Sequence, residues 1–129
     1  MNKRQISETL LKAQEALIPT EETQAEPYWV LADAKKQAGI LYSIPPTNNS
    51  FRLIPLFESH DDAKTYHGKL SKHEKEAFII GGLTKMGMIA HLIFAQGRDV
   101  EFVKITYGDK GHPLEERITQ NEMRQKFPQ

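Results

Sequence analysis

The chain has 129 residues, 39% of them hydrophobic, with 17 basic and 17 acidic side chains and no cysteine. That length suits one domain with a core of its own. Balanced charge argues against a uniform nucleic-acid or anionic-membrane surface, and the lack of cysteine excludes disulfides, thiolate metal sites and cysteine nucleophiles.

Ser7 to Ile18 reads as the first helix, with Ser7 as its cap and Ile6, Leu10, Leu11, Leu17 and Ile18 near the helical period. The basic opening Met1 to Gln5 is followed by no apolar signal core, so a cytoplasmic protein is expected. Pro19 stops the helix, and the polar, acidic run Thr20 to Pro27 reads as a linker. Residues 1–27 are then an arm ahead of a domain spanning 28–129.

Tyr28 to Ala32 and Gly39 to Ile44 are short β-rich runs, and Pro45 to Ser50 is a loop. Phe51 to Phe57 predicts a strand in which Pro55 marks an edge or a bulge, since proline donates nothing to a ladder. Ser59-His60-Asp61-Asp62 matches a capping box, and Ala63, Tyr66 and Leu70 continue it as a helical stripe. Ser71 to Glu76 is charged enough to demand solvent. It either precedes a strand at Ala77 to Ile80 or starts a helix that absorbs that run; the strand is preferred here.

Gly81-Gly82 then reads as a tight turn into a helix over Thr84 to Gln96, ended by Gly97, with a strong strand at Val100 to Tyr107 behind it. Strand, turn, helix and strand together predict a parallel βαβ crossover. Leu114 to Phe127 closes the chain as an amphipathic helix through Leu114, Ile118 and Met123. The expected class is therefore α/β or α+β, a small mixed sheet between an N-terminal and a C-terminal helix. The apolar stretch Ala77 to Ala95 contains Lys85, His91 and glycines, which fits this broken pattern and not a membrane span.

Two features of the Thr84 helix bear on function. Gly81, Gly82, Thr84 and Lys85 stand where free backbone N–H groups and the helix dipole attract an anion, although the glycines are equally explained by a turn. The run matches neither a Walker loop nor a dinucleotide fingerprint. Around the helix, Met86, Ile89, Ala90, Ile93 and Phe94 form the expected core stripe. Met88, Leu92 and Ala95 lie about 150–200° away at 100° per residue. A helix apolar on both sides needs two covers, so Met88, Leu92 and Ala95 are the expected self-association face, covered by a second copy or by the arm.

Other chemistry is sparse. His60, Asp61, Asp62 and His67 suggest a metal site, but the two histidines stand about 10 Å apart along one helix, and the acids serve its dipole more simply. His91 reads as a partly buried residue satisfied by a carbonyl, with a general base or pH sensor as the sharper alternative. Lys69, Lys72 and Lys75 make a ridge interleaved with acids, read as a solvated face. No cofactor, metal or catalytic group is assigned.

Phe51 to Ser59, running Phe-Arg-Leu-Ile-Pro-Leu-Phe-Glu-Ser, followed by Asp62-Ala63-Lys64-Thr65-Tyr66, resembles the SseB-type family of small bacterial proteins named for enhanced serine sensitivity. The resemblance covers about Ser7 to Leu70, with Glu58 where that family usually has threonine. It implies a cytoplasmic α/β domain with no established catalytic residues. The expectation is a non-enzymatic protein-contact module, with an anionic-ligand binder or enzyme at Gly81-Gly82 and Lys85 as the alternative and nucleic-acid binding third.

Overall fold

A computed structural model describes residues 18–35, 40–46 and 51–128. The expected helix at Ser7 to Ile18 lies outside them except for its last residue. In chain order the elements are β1 Trp29–Asp33, β2 Arg52–Leu56, α1 His60–Gly68, α2 Lys72–Ala77, β3 Phe78–Gly82, α3 Lys85–Ala95, β4 Val100–Tyr107, β5 Pro113–Ile118 and α4 Gln120–Lys126. This is an α+β fold, as expected.

The strands form two small sheets, β1 with β3 and β2-β4-β5. β1 and β3 run antiparallel, with Trp29 opposite Gly82 and Asp33 opposite Phe78. β4 is central in the second sheet, parallel to β2 and antiparallel to β5. A single bridge at Trp29–Phe57 links the two sheets directly, and residues 40–46 add a second link through bridges at Ala32–Leu41 and Ile44–Leu53. Pro55 explains why the seam is no fuller. The N–H groups of Leu53 and Phe57 donate across the outer edge of β2, to Ile44 and Trp29. By alternation Pro55 faces that same edge between them, where it has no N–H to give.

The expected crossover from Ala77–Ile80 to Val100–Tyr107 does not form. β3 and β4 belong to different sheets, and the parallel partner of β4 is β2. The connection between those parallel strands therefore passes through α1, α2, β3 and α3. Both competing readings of residues 71–80 hold in part. Ser71 caps α2, accepting from the Glu74 N–H at 3.2 Å, and the helix turns directly into β3 at Phe78.

The expected C-terminal helix from Leu114 is also corrected, since residues 113–118 pair with β4 as a hairpin. Leu114 and Ile118 are four residues apart, which puts them on one face in a strand as well as in a helix. Only Ile118 is buried, opposite Phe102. The true helix start is Thr119, whose hydroxyl accepts from the Glu122 N–H while the Glu122 carboxylate accepts from the Thr119 N–H.

Helices cover both faces of the strands. α3 and α4 enclose one core with Val30, Leu56, Phe102 and Ile118; Tyr28 and Phe127 meet in it with ring centroids 6.4 Å apart. α1 closes the other core over Phe57, Val103 and Ile105. The side chain of Gln120 ties α4 to α3, its amide lying 3.0 Å from the Ala95 and Arg98 carbonyls and 2.7 Å from that of Val100.

Residues 19–27 are part of this body and not a free linker. Thr20 and Thr23 close a turn through a 3.1 Å backbone bond and a 2.8 Å hydroxyl pair. The segment then crosses β3 against its two glycines. A methyl group on Gly82 would fall on the Thr23 carbonyl oxygen and within 2.7 Å of the Ala25 nitrogen. Gly82→Ala should therefore cost about 1–3 kcal/mol or more through overpacking. Gly68→Ala, which meets nothing within 4 Å, should be neutral or stabilising by up to about 1 kcal/mol. Urea unfolding of the two variants checks the contrast.

Candidate functional site

The residues expected to hold an anion are not arranged as an anion loop. Gly81 and Gly82 lie within β3, buried beneath Pro19 to Ala25. Thr84 is the cap of α3, its hydroxyl accepting from the Gly87 N–H at 2.9 Å. The Lys85 N–H donates to the carboxylate of Glu26 at 3.4 Å, while the Glu26 N–H donates to the Leu83 carbonyl at 2.9 Å. The chain thus supplies its own anion to the start of this helix, where the dipole favours negative charge. Lys85 itself is exposed.

The two apolar sides of α3 are exchanged relative to expectation. Met88, Leu92 and Ala95 pack into the core and do not form a free face. Met86, Ile93 and Phe94 are 64%, 56% and 70% exposed. Ala90 lies between them, half-buried, while Ile89 packs half-buried against the core. Gly87 is buried along with Met88, Leu92 and Ala95. Periodicity finds two stripes, and only packing decides which one faces in.

The histidines separate. His67 Nε2 donates to the Phe78 carbonyl at 2.8 Å and lies 3.1 Å from that of Lys75. His60 sits edge-on to Trp29, with ring centroids 6.0 Å apart. The expected capping box at Ser59 is half formed. Ser59 accepts from the Asp62 N–H at 3.0 Å, but the Asp62 carboxylate accepts from the Tyr107 N–H at 3.3 Å. Among the described residues, no three His, Asp or Glu side chains gather as a metal site. His91 is half-buried on α3, and burial lowers its pKa from the ordinary 6.5. No described carbonyl takes a hydrogen bond from its ring.

A cleft unforeseen in the sequence lies between the end of α1 and the β4-β5 hairpin. Tyr66, Lys69, Leu70, Ile105, Tyr107, Pro113 and Glu115 line about 280 Å³ of space. The Lys69 ammonium sits 4.7 Å from the centre of the Tyr107 ring. Burial raises the pKa of both Tyr66 and Tyr107. Tyr42, Tyr107 and Glu115 add to the effect at Tyr66; Asp62 and Glu115 add to it at Tyr107. Both phenols are therefore neutral hydrogen-bonding groups at ordinary pH. The sequence hides it because Leu114 and Ile118 fit a helix as well as a strand, and Lys69 lies beside a charged run.

No protein-family model, curated protein or solved structure matches this chain. No helix among the described residues is long and apolar enough to cross a membrane.

Two predictions follow from α3. Leu92→Ala should cost about 2–5 kcal/mol by opening a core cavity, while Ile93→Ala should leave the urea midpoint of a monomer nearly unchanged. The neutral form of His91 is favoured by folding, so on acidification the unfolded chain binds that proton first. Stability should accordingly fall as pH drops through 6.5 and be insensitive to this residue above about pH 7.5. His91→Gln should remove that part of the slope, as read from urea midpoints across the range.

Proposed function

We propose that the chain is a non-enzymatic protein-contact module that works as a homodimer in the cytoplasm, with the outward stripe of α3 as its self-contact face. The observation that carries this reading is the exposure of Met86, Ile93 and Phe94 along one side of a helix whose other side is core. Large apolar side chains grouped on one solvent-facing stripe are characteristic of surfaces that are covered in use.

Self-pairing is supported by the layout of the stripe. Met86 and Phe94 stand four residues to either side of the small Ala90. Two copies crossing antiparallel at Ala90 bring each Met86 beside the partner's Phe94, and one patch then serves both sides of a twofold contact. Charge supports the same direction. Glu26 and Lys85 lie at the start of α3, and Arg98 and Asp99 just beyond its end. None of the four is in an ion pair among the described residues. Antiparallel pairing sets each charge pair against its complement at both ends of the contact. The SseB-type affiliation belongs to the same proposal, supported by β1, β2 and α1 following one another in the order that the resemblance implies.

Native mass spectrometry and sedimentation test the reading. The wild type is expected at twice its 14.8 kDa chain mass. Ile93→Glu is expected to be a monomer with an unchanged thermal midpoint relative to an Ile93→Ala control. A monomeric wild type, or an Ile93→Glu variant that still pairs, rejects it.

A further inference from the structure

The cleft beside α1 holds one basic and one acidic side chain that do not satisfy each other. Lys69 leaves the end of α1 and rests on the Tyr107 ring. Glu115 rises from β5 opposite Ile105. The salt bridges among the described residues join Lys104 to Glu58 and Glu116, and Arg117 to Glu101; Lys69 and Glu115 take part in none. Leu70, Ile105 and Pro113 line the same cleft, together with the rings of Tyr66 and Tyr107.

That combination selects against several ligand classes. A phosphate or nucleotide would meet a single lysine and be repelled by Glu115, with Asp62 close behind on Tyr107. A simple cation would meet Lys69. A purely apolar molecule would desolvate both charges without replacing the water they lose. About 280 Å³ is at the lower end of the volumes that hold small molecules, so the guest is small. A molecule with one carboxylate and one ammonium matches both charges and leaves the cleft neutral.

We propose that this cleft binds a small zwitterion of amino-acid size. Lys69 receives its carboxylate, Glu115 its ammonium, and Leu70, Ile105 and Pro113 its apolar body. Tyr66 and Tyr107 wall the guest on its flanks, and their neutral phenols supply hydrogen bonds without adding charge. The ring face of Tyr107, on which the Lys69 ammonium already rests, is open to a ligand ammonium when Lys69 swings to the carboxylate. The cleft lies on the α1 side of the sheet and the outward stripe belongs to α3 on the other. The site therefore does not depend on how the chain associates.

Titration of isotope-labelled protein by NMR tests this, with leucine, 6-aminohexanoate and a Gly-Leu dipeptide as zwitterions of increasing charge separation. Hexylamine and hexanoate are the single-charge controls. At least one zwitterion should shift the amides of Tyr66 to Leu70, Ile105 to Tyr107 and Glu115 below about 10 mM, and Lys69→Met and Glu115→Gln should each weaken it about tenfold or more. The spacing that binds best separates a free α-amino acid from a longer zwitterion. Both substituted residues are exposed, and unchanged amide shifts outside the cleft report an intact fold. Cleft amides unmoved by all three zwitterions, equal binding of the single-charge controls, or variants that bind like the wild type each overturn the proposal. Ile93→Glu leaves the titration unchanged if the site is as proposed.

Discussion

The absence of side chains at Gly81 and Gly82 is the constraint on which the rest of the molecule depends. Because β3 ends in two residues without a Cβ, residues 19–25 can lie directly on its backbone. That crossing fixes where Glu26 enters, so its N–H reaches Leu83 and its carboxylate reaches Lys85. Tyr28 then drops into the core, Leu83 donates to the Tyr28 carbonyl, and β1 is laid along β3 in a fixed register. One close approach thus positions the first strand, the start of α3 and the floor of the larger core. A glycine pair before a helix suggests a phosphate loop in a sequence; here the backbone it accommodates is the protein's own.

Much of this was legible in the residues. β1, β2, α1, α3 and β4 lie close to the runs that alternation, caps and glycines mark, because each combines a clear period with a clear stop. Pro55 correctly announced an incomplete edge. What was not legible depended on pairing between distant segments. β3 was recognisable as a strand, but nothing local says that its partner is Trp29 to Asp33 instead of Val100 to Tyr107. Leu114 and Ile118 satisfy both periods, and the decisive cue, the Thr119–Glu122 box, was read as the interior of a helix. On α3 both stripes were seen and their roles reversed. Two apolar faces of similar strength contain no information about which neighbour is nearer. The tyrosine cleft needs β5 beside β4 before it exists, so no local pattern in residues 113–118 announces it.

The two surfaces proposed for function are separated by the sheet itself. The α3 stripe is apolar, exposed and carried on a helix anchored at both ends, by Thr84 and Glu26 at the start and by Gln120 at the close. A surface so held changes little when it is covered, which favours a rigid contact over one that must be ordered first. The cleft by contrast is framed by the end of α1 and an edge hairpin, with a mobile type of side chain, Lys69, across its mouth. Rigid apolar contact on one side and adjustable polar reception on the other are compatible with one small chain performing both tasks.

The ring contact between Tyr28 and Phe127 links the first strand to the last helix. They lie near opposite ends of the described residues, so the core they share is closed by segments far apart in the chain. The inner face of α3, with Met88 and Leu92, belongs to that same core. Met123 and Phe127 supply part of its cover. Loosening either partner uncovers the same core, so the two segments open together as one cooperative unit.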